Sequence, residues 1–312
     1  MRGTERLSSL VAGSAAVLLA SAANPAAAAE PYPSRPIEAM VPFGPGGGAD
    51  VTGRQFARQA ETKLGVAVPV VNAAGASGDV GLARAVALTA TAWAAGVGTP
   101  RLDRLEYVAL MQNSPSMLLV ARDSPLLAFA DSVADSNVRP GSIDIATSGV
   151  GTPDNITPRH LAANGVDTVA IPSGKPGERY ASIVGGHTDV LCEEHGDVVG
   201  FLQSGDLRPP VVFDAQRHAA FPDVPTSGEA RLEIGNLPNL RAVAVPARTP
   251  PERVERLRAV AAEDLAGPDR QAFCANTSSC TGPLPPAEVK RLVATTYERA
   301  EGYLDRFETA AT

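Results

Sequence analysis

The stretch Val41-Pro42-Phe43-Gly44-Pro45-Gly46-Gly47-Gly48-Ala49-Asp50 joins a short apolar segment, residues 37–43, to residues 51–64, whose apolar and small side chains recur at helical spacing. This order predicts a strand, a glycine-rich loop and a helix. Glycine lets the backbone approach a ligand closely, and a helix N-terminus directs unpaired N–H groups toward negative charge. The stretch therefore predicts a binding site for an anion in an α/β fold.

A second glycine-rich loop follows the next predicted strand. Residues 66–71 form that strand, although Pro69 weakens it, and the loop 72–81 leads into a helix-like segment at 82–88. If the two strands belong to one parallel sheet, both loops lie at its carboxyl edge, where open α/β sheets bind ligands. We therefore expect the two loops to face one ligand.

The same alternation restarts after residue 122 and predicts a second α/β unit. Its connections are short, which is typical of strands and helices that follow one another in a compact fold. The predicted strands are 143–146, 168–171 and 189–191, and the predicted helices are 126–135, 157–163 and 178–184. Later segments predict a strand at 242–245, a helix to about residue 266 that opens on the capping box 249–252, and an amphipathic helix at 286–307.

The first 29 residues have the features of a secretory signal peptide. Arg2 and Arg6 form a short basic region, residues 10–22 are apolar and small, and residues 26–29 are alanines. We expect cleavage near Ala28 or Ala29. No later segment approaches the roughly 20 apolar residues of a membrane-spanning helix, so we do not expect the protein to be embedded in a membrane.

Composition narrows the class of partner. The formal charge of −7 becomes about −8 once Arg2, Glu5 and Arg6 are removed with the signal peptide, which argues against nucleic acid. Aromatic residues make up 4% of the chain, which argues against a sugar site built from stacked rings. A small acid held by polar groups fits better.

The chain has three cysteines. Cys274 and Cys280 are close in sequence and could form a disulfide in an oxidising compartment, or remain two ordinary thiols. Cys192 is left over, and we expect it to be a small buried side chain rather than a nucleophile.

Three other kinds of site fit the sequence less well. Residues 44–49 match G-x-G-x-x-A, but a dinucleotide site needs an acidic residue where the second strand ends at Asn72. Residues 192–197 contain metal-ligating side chains without a familiar zinc or calcium spacing, so we expect a solvent-exposed turn. Residues 75–78 lack the G-x-S-x-G pattern of a nucleophile elbow. We therefore predict no cofactor, no metal and no catalytic residue.

Several sequence blocks, taken in order, carry a resemblance to a known family. They are residues 32–50, 72–81, 148–152 with 160–162, 185–189, 222–229 and 245–250. Together they resemble the substrate-binding proteins of tripartite tricarboxylate transporters, the TctC or Bug family, over nearly the whole mature chain. The resemblance implies a periplasmic α/β protein with the two-lobed periplasmic-binding-protein (Venus flytrap) fold, each lobe a mostly parallel sheet flanked by helices.

The resemblance also implies that the first two strand-to-helix loops hold a carboxylate through backbone groups and ordered waters. The ligand-binding residues are then Phe43, Gly46, Gly47, Gly48, Ala49, Asp50, Asn72, Ala76, Ser77 and Gly78. From the residues alone, Asp50 could instead cap the helix. In the second lobe Ser148, Thr152 and Ser173 could donate to a ligand or serve only turn chemistry, and Asp189 could hold a ligand amine or anchor the hinge.

The chain departs from the family pattern at three places in the site. Ala49 stands where threonine is common, Ser77 stands where glycine is usual, and no tyrosine follows Pro172. We therefore expect altered selectivity.

The leading hypothesis is a non-enzymatic, periplasmic binding protein for a small organic carboxylate. Its predicted domains are a signal peptide at 1–29, a first lobe at 30–121 and 240–312, and a second lobe at 122–239 that includes the hinge return. The resemblance implies as partners the membrane subunits of a tripartite tricarboxylate-type transporter, or a sensor. An exported enzyme acting on a carboxylate in the same cleft and a ligand-free partner protein are the alternatives.

Overall fold

The computed structural model describes residues 32–75, 104–126, 141–149, 152–163, 166–232 and 237–310. The predicted signal peptide, the segment 82–88 and the predicted site residues Ala76, Ser77 and Gly78 lie outside these ranges. The strands are β1 (Ala39–Val41), β2 (Val70–Asn72), β3 (Leu105–Ser114), β4 (Ser116–Ala121), β5 (Ile143–Thr147), β6 (Thr168–Pro172), β7 (Val190–Glu194), β8 (Leu207–Val212) and β9 (Asn239–Pro246). The helices are α1 (Gly48–Leu64), α2 (Pro153–Ala163), α3 (Pro176–Val184), α4 (His195–Gln203), α5 (Pro251–Ala266), α6 (Pro268–Thr277) and α7 (Pro286–Ala310).

The first lobe contains two strand pairs and the helices α1, α5 and α6. β1 and β2 are parallel, whereas β3 and β9 are antiparallel. The β3–β9 pair lies between helices because its side chains alternate. Val108 and Met111 of β3 pack against α1 and α5, whereas Leu105, Tyr107 and Leu110 pack toward α7.

The second lobe is a five-stranded sheet in the order β6-β5-β7-β4-β8 with α2, α3 and α4. β5 is parallel to β6 and to β7, and β4 runs antiparallel to β7 and β8. Leu118 and Val120 face the core under α2, whereas Met117 and Leu119 face the core under α3 and α4. The sequence placed residues 116–121 in the first lobe, but their hydrogen-bond ladders place β4 in this sheet.

Several connections hold the two lobes together. Pro115 separates β3 of the first lobe from β4 of the second. The C-terminal helix α7 buries Val289 and Val293 against the first lobe, and Ala300 and Tyr303 against Ile156 of α2. The C-terminal helix therefore packs against both lobes.

Another connection between the lobes lies beside a disulfide. Cys274 and Cys280 are bonded, and within the loop they close, the Thr277 carbonyl lies 2.8 Å from Nδ1 of His195. His195 packs edge-on against His218, with ring centroids 5.0 Å apart. Burial lowers the pKa of both histidines, so both rings favour the neutral form at this junction.

No helix in the described part of the chain is long and apolar enough to cross a bilayer. Cys192 is a free, buried thiol in the core of the second lobe, as expected of a small apolar side chain.

Candidate functional site

A cavity of about 340 Å³ is lined by both lobes. It runs along β1, α1 and β9 of the first lobe and reaches the carboxyl ends of β5, β6 and β7 in the second. The loop after β1 lines it from the first lobe, and the segments after β5, β6 and β7 line it from the second. Parallel strands bring their carboxyl ends to one edge, so each sheet presents its loops to the other across this space.

The glycine loop lies directly against the second lobe. A Cβ on Gly47 would stand 2.9 Å from Cγ of Pro176, and one on Gly44 would stand 3.2 Å from the Gly174 carbonyl oxygen. Gly46 has φ +83°, a left-handed conformation that side chains disfavour. The loop can therefore turn tightly and approach the opposite lobe because these positions carry no side chain.

Asp50 organises the loop from within α1. Its carboxylate accepts hydrogen bonds from the Gly46 amide, at 3.0 Å, from Nε of Arg54, at 2.9 Å, and from Nδ2 of Asn72, at 2.9 Å. Although burial alone would raise it, these donors hold the pKa of Asp50 below its ordinary value. Asn72 also donates to the Phe43 carbonyl at 3.0 Å. Asp50 and Asn72 thus support the loop, and the residue that caps α1 is Gly47.

The next amide along the loop meets a carboxylate of the second lobe. The Gly48 N–H, at the start of α1, donates to Oδ2 of Asp197 at 3.2 Å. Nη2 of Arg241 donates to the same oxygen at 2.7 Å. A helix N-terminus favours negative charge, and here the negative charge belongs to the protein.

Arg241 also binds Glu194 in the same wall of the cavity. Nη1 and Nη2 reach the two carboxylate oxygens of Glu194 at 3.0 and 2.6 Å. Nε2 of Gln112 donates to Glu194 at 2.7 Å. The Glu194 and Asp197 side chains are 2% and 5% exposed, so both charges depend on these donors rather than on water.

A second arginine pairs with a second glutamate nearby. Arg179 of α3 is buried, donates through Nη2 to Glu193 and through Nη1 to the Ser173 carbonyl at 2.8 Å. The Tyr180 hydroxyl donates to the same Glu193 oxygen at 3.3 Å. Nε of Arg179 has no hydrogen-bond partner within the described residues. The cavity wall therefore retains an unused donor.

The buried acids outnumber the buried bases in this wall. Asp154, Glu193, Glu194 and Asp197 face only Arg179 and Arg241 among the described residues. Burial raises the pKa of Asp197 to about 6, and it also raises the pKa of Glu194 and of Asp154. The site is thus short of positive charge.

Residues 192–197 were expected to form a solvent-exposed turn, and that prediction was wrong. They form the buried end of β7 and the first turn of α4. Carboxylate oxygens of Glu193, Glu194 and Asp197 lie within 4.8 Å of one another, a spacing that could suit a metal ion. Because the two arginines already bond to these oxygens, the arrangement favours guanidinium groups over a metal ion.

The structure brings six of the predicted site residues to the cavity and leaves others away from it. The residues that line it are Phe43, Gly47, Gly48, Ala49, Ser148 and Thr152. The Ser148 hydroxyl donates to Asp154 at 2.8 Å, and the Thr152 hydroxyl donates to the Gly149 carbonyl at 2.6 Å. Both hydroxyl protons are therefore used in local hydrogen bonds. Gly46 belongs to the first loop but does not line the cavity, and Asp50 and Asn72 support that loop from the side away from the cavity.

Two predicted second-lobe residues do not reach the cavity. The Ser173 hydroxyl turns toward the Lys175 carbonyl, at 3.5 Å. Asp189 precedes β7, whereas Ser148 follows the parallel β5, so the two lie at opposite edges of the sheet. Asp189 accepts instead from the Asp144 amide at 2.9 Å, which fits an anchoring role.

Sequence reasoning missed the charged wall. Its members are Asp154, Arg179, Glu193, Glu194, Asp197 and Arg241. One signal was present, because Glu193 and Glu194 end an apolar strand parallel to β5. The carboxyl-edge rule that selected the glycine loops selects this position as well.

Comparisons with known proteins agree with this architecture. The model of the TctC family, described as the tripartite tricarboxylate transporter family receptor, matches residues 52–301. A Bordetella bronchiseptica protein of the group UPF0065 is 30% identical over 274 residues, covering 81% of this chain and 80% of that protein.

Two solved structures show the same fold. MatC from Rhodopseudomonas palustris with bound malate superposes with a TM-score of 0.80 at 23% identity, covering 87% of this chain and 99% of that one. R. palustris Rpa4515 with adipate gives a TM-score of 0.80 at 20% identity, covering 89% and 98%. The two-lobed α/β fold is that of the periplasmic binding proteins.

Proposed function

Because the chain belongs to the TctC family of tripartite tricarboxylate transporter receptors, we propose that it is a periplasmic solute-binding protein for a small organic carboxylate. The observation that carries this proposal is the α1 N-terminus, which opens onto a cavity between two lobes and there binds a carboxylate group. Backbone amides in a partly buried cleft bind carboxylates more strongly than they do in water.

The chemistry of the cavity supports binding rather than catalysis. The Thr152 hydroxyl donates to the Gly149 carbonyl of its own loop, and the Ser148 hydroxyl donates to Asp154 in the first turn of α2. No histidine of the described residues lines the cavity. A serine–histidine pair of the kind that activates a nucleophile is therefore not assembled among the described residues of the cavity. The matched family consists of receptors, and the alternative of an exported enzyme gains no support.

Malate and adipate are the ligands of two proteins with this fold, and both are carboxylates. They are therefore the first compounds to test. The family description supports delivery of the ligand to membrane subunits of a tripartite tricarboxylate-type transporter, with presentation to a sensor as the other role. The signal-peptide pattern of residues 1–29 supports a periplasmic location.

The domain division also enters the proposal. We infer a first lobe that comprises residues up to Ser114 and from Asn239 onward, and a second lobe between them. The strand pairings of β3 with β9 and of β4 with β7 and β8 support this division.

The test is a thermal-shift screen of the mature protein with mono-, di- and tricarboxylates, followed by calorimetric titration of the compounds that stabilise it. A ligand at 100 times its Kd should add about 2.7 kcal/mol to the free energy of unfolding. Mass spectrometry of the incubated acid then checks for chemical change. Turnover of the acid would contradict a receptor, and no stabilisation across the screen would contradict carboxylate binding.

A further inference from the structure

The anion site at the start of α1 is already occupied by a side chain of the protein. Oδ2 of Asp197 accepts from the Gly48 amide at 3.2 Å and from Nη2 of Arg241 at 2.7 Å. These are the two kinds of donor, a helix N-terminus and a guanidinium, that carboxylate ligands use. Asp197 therefore has the surroundings expected for the carboxylate of a bound ligand.

This contact joins the two lobes. Asp197 lies in α4 of the second lobe, whereas Gly48 and Arg241 lie in α1 and β9 of the first. Both donors therefore reach across the cleft to a carboxylate on the opposite side. A ligand that closes a two-lobed receptor makes contacts of the same kind.

The close approach depends on glycine at position 48. A Cβ there would stand 1.8 Å from Oδ1 of Asp197 and 2.3 Å from Nη2 of Arg241. Any side chain at position 48 would therefore displace both groups. The same space cannot hold a second carboxylate while Asp197 is present.

We propose that Asp197 is an internal competitor for the ligand carboxylate, and that a ligand must displace it from the Gly48 amide and from Arg241. This inference rests on the proposed function, because it concerns the same anion site. Two carboxylates would repel each other in a cavity whose buried acids exceed its arginines. The affinity for the ligand then depends on how much more strongly the ligand carboxylate binds this site than the Asp197 carboxylate does.

When Asp197 is displaced, Arg241 still has a partner in the cavity wall. Arg241 keeps both hydrogen bonds to Glu194 when Asp197 moves away, so no buried guanidinium is left without a partner. The incoming carboxylate replaces Asp197 at Nη2. Asp197 thus selects for ligands whose carboxylate can reach both Gly48 and Arg241.

The test compares Asp197→Asn with the wild type and with Glu229→Gln. Asparagine keeps the shape but removes the charge that competes. Glu229 is exposed, pairs with Arg217 at 3.0 Å and does not line the cavity, so its substitution removes one negative charge elsewhere. In calorimetric titrations with malate and adipate, Asp197→Asn should lower Kd about tenfold, and Glu229→Gln should leave it unchanged.

A second readout needs no ligand. The amide resonance of Gly48 in the ligand-free protein should shift in Asp197→Asn and in Asp197→Ala, and should stay in place in Glu229→Gln. Small-angle scattering should also show a larger radius of gyration for Asp197→Ala, because one interlobe contact is lost.

The outcomes separate this inference from the proposed function. If the wild type binds an acid and Asp197→Asn binds it equally or more weakly, the inference is overturned and the receptor function stands. If none of the proteins binds any carboxylate, the receptor function fails and the competitor role fails with it. An unmoved Gly48 resonance in both Asp197 variants overturns the contact itself, whether or not an acid binds.

Discussion

Arg241 and Glu194 form a bidentate ion pair between the lobes, with N–O distances of 3.0 and 2.6 Å. Removing one partner of a buried pair leaves the other charge uncompensated, which costs about 3–5 kcal/mol. We therefore expect Arg241→Met to lower the free energy of unfolding by about that amount in urea titrations.

The matched control is Arg217→Met, because Arg217 pairs with Glu229 at the surface. Both side chains are nearly half exposed, and exposed pairs contribute about 0–1 kcal/mol. Equal losses in the two variants would show that the Arg241 pair is not buried as described.

The pH dependence of stability should change when Asp197 is replaced. Burial raises its pKa from 3.8 to about 6, so the folded protein binds a proton that the unfolded chain releases between these values. The contribution to stability is therefore complete below about pH 4 and is lost as the pH rises through about 6. Asp197→Asn imitates the protonated form and should be more stable than the wild type at about pH 7 by about 1–3 kcal/mol.

That difference should shrink at about pH 5. The groups around Asp197 are Arg241 of β9, Glu193 and Glu194 of β7, and Arg179 and Tyr180 of α3. These groups titrate in both proteins, so their effect on the pH dependence of stability largely cancels in the comparison. The same holds for His195 and His218, whose lowered pKa makes stability rise with pH. Urea titrations at the two pH values measure the change, and an equal difference at both would refute it.

Gly47→Ala should weaken ligand binding without unfolding the protein. Gly47 has φ −84°, which alanine adopts readily, so the expected effect arises only from the contact with Pro176. A Cβ at 2.9 Å from Cγ of Pro176 would hold the lobes apart and raise the Kd about tenfold.

Gly177→Ala provides the control, since a Cβ on Gly177 would meet no atom within 4 Å. It lies in the first turn of α3 and should leave Kd unchanged while stabilising the helix by up to about 1 kcal/mol. Calorimetry of both variants separates the effect of the contact with Pro176 from that of a glycine-to-alanine change as such. An unchanged Kd for Gly47→Ala would show that the contact with Pro176 does not affect ligand binding.

The disulfide should stabilise the junction between α4 and α6. Replacing Cys274 and Cys280 together by serine opens a short loop and should cost about 2 kcal/mol. A reductant should lower the melting temperature of the wild type and leave that of the double variant in place. If the reductant affected both proteins alike, the effect would arise elsewhere.

The sequence predicted the backbone of the site better than its charges. Glycine spacing and strand order located the loop before α1, because they depend on local chemistry and on the carboxyl-edge rule. They did not locate Asp197 or Arg241, which are distant from that loop in sequence and reach it only through the tertiary fold. Asp50 was expected either to cap α1 or to touch the ligand, and it supports the loop from behind instead.

The pairing of β3 with β9 constrains the order in which the chain can fold. Leu105 lies opposite Pro246, and every strand of the second sheet, β4 to β8, occurs between them. The second lobe is thus continuous in sequence and can form early during synthesis, whereas the first lobe must wait for β9. The lobe that begins the chain is the one completed last, and α7 can join the two lobes only after that step.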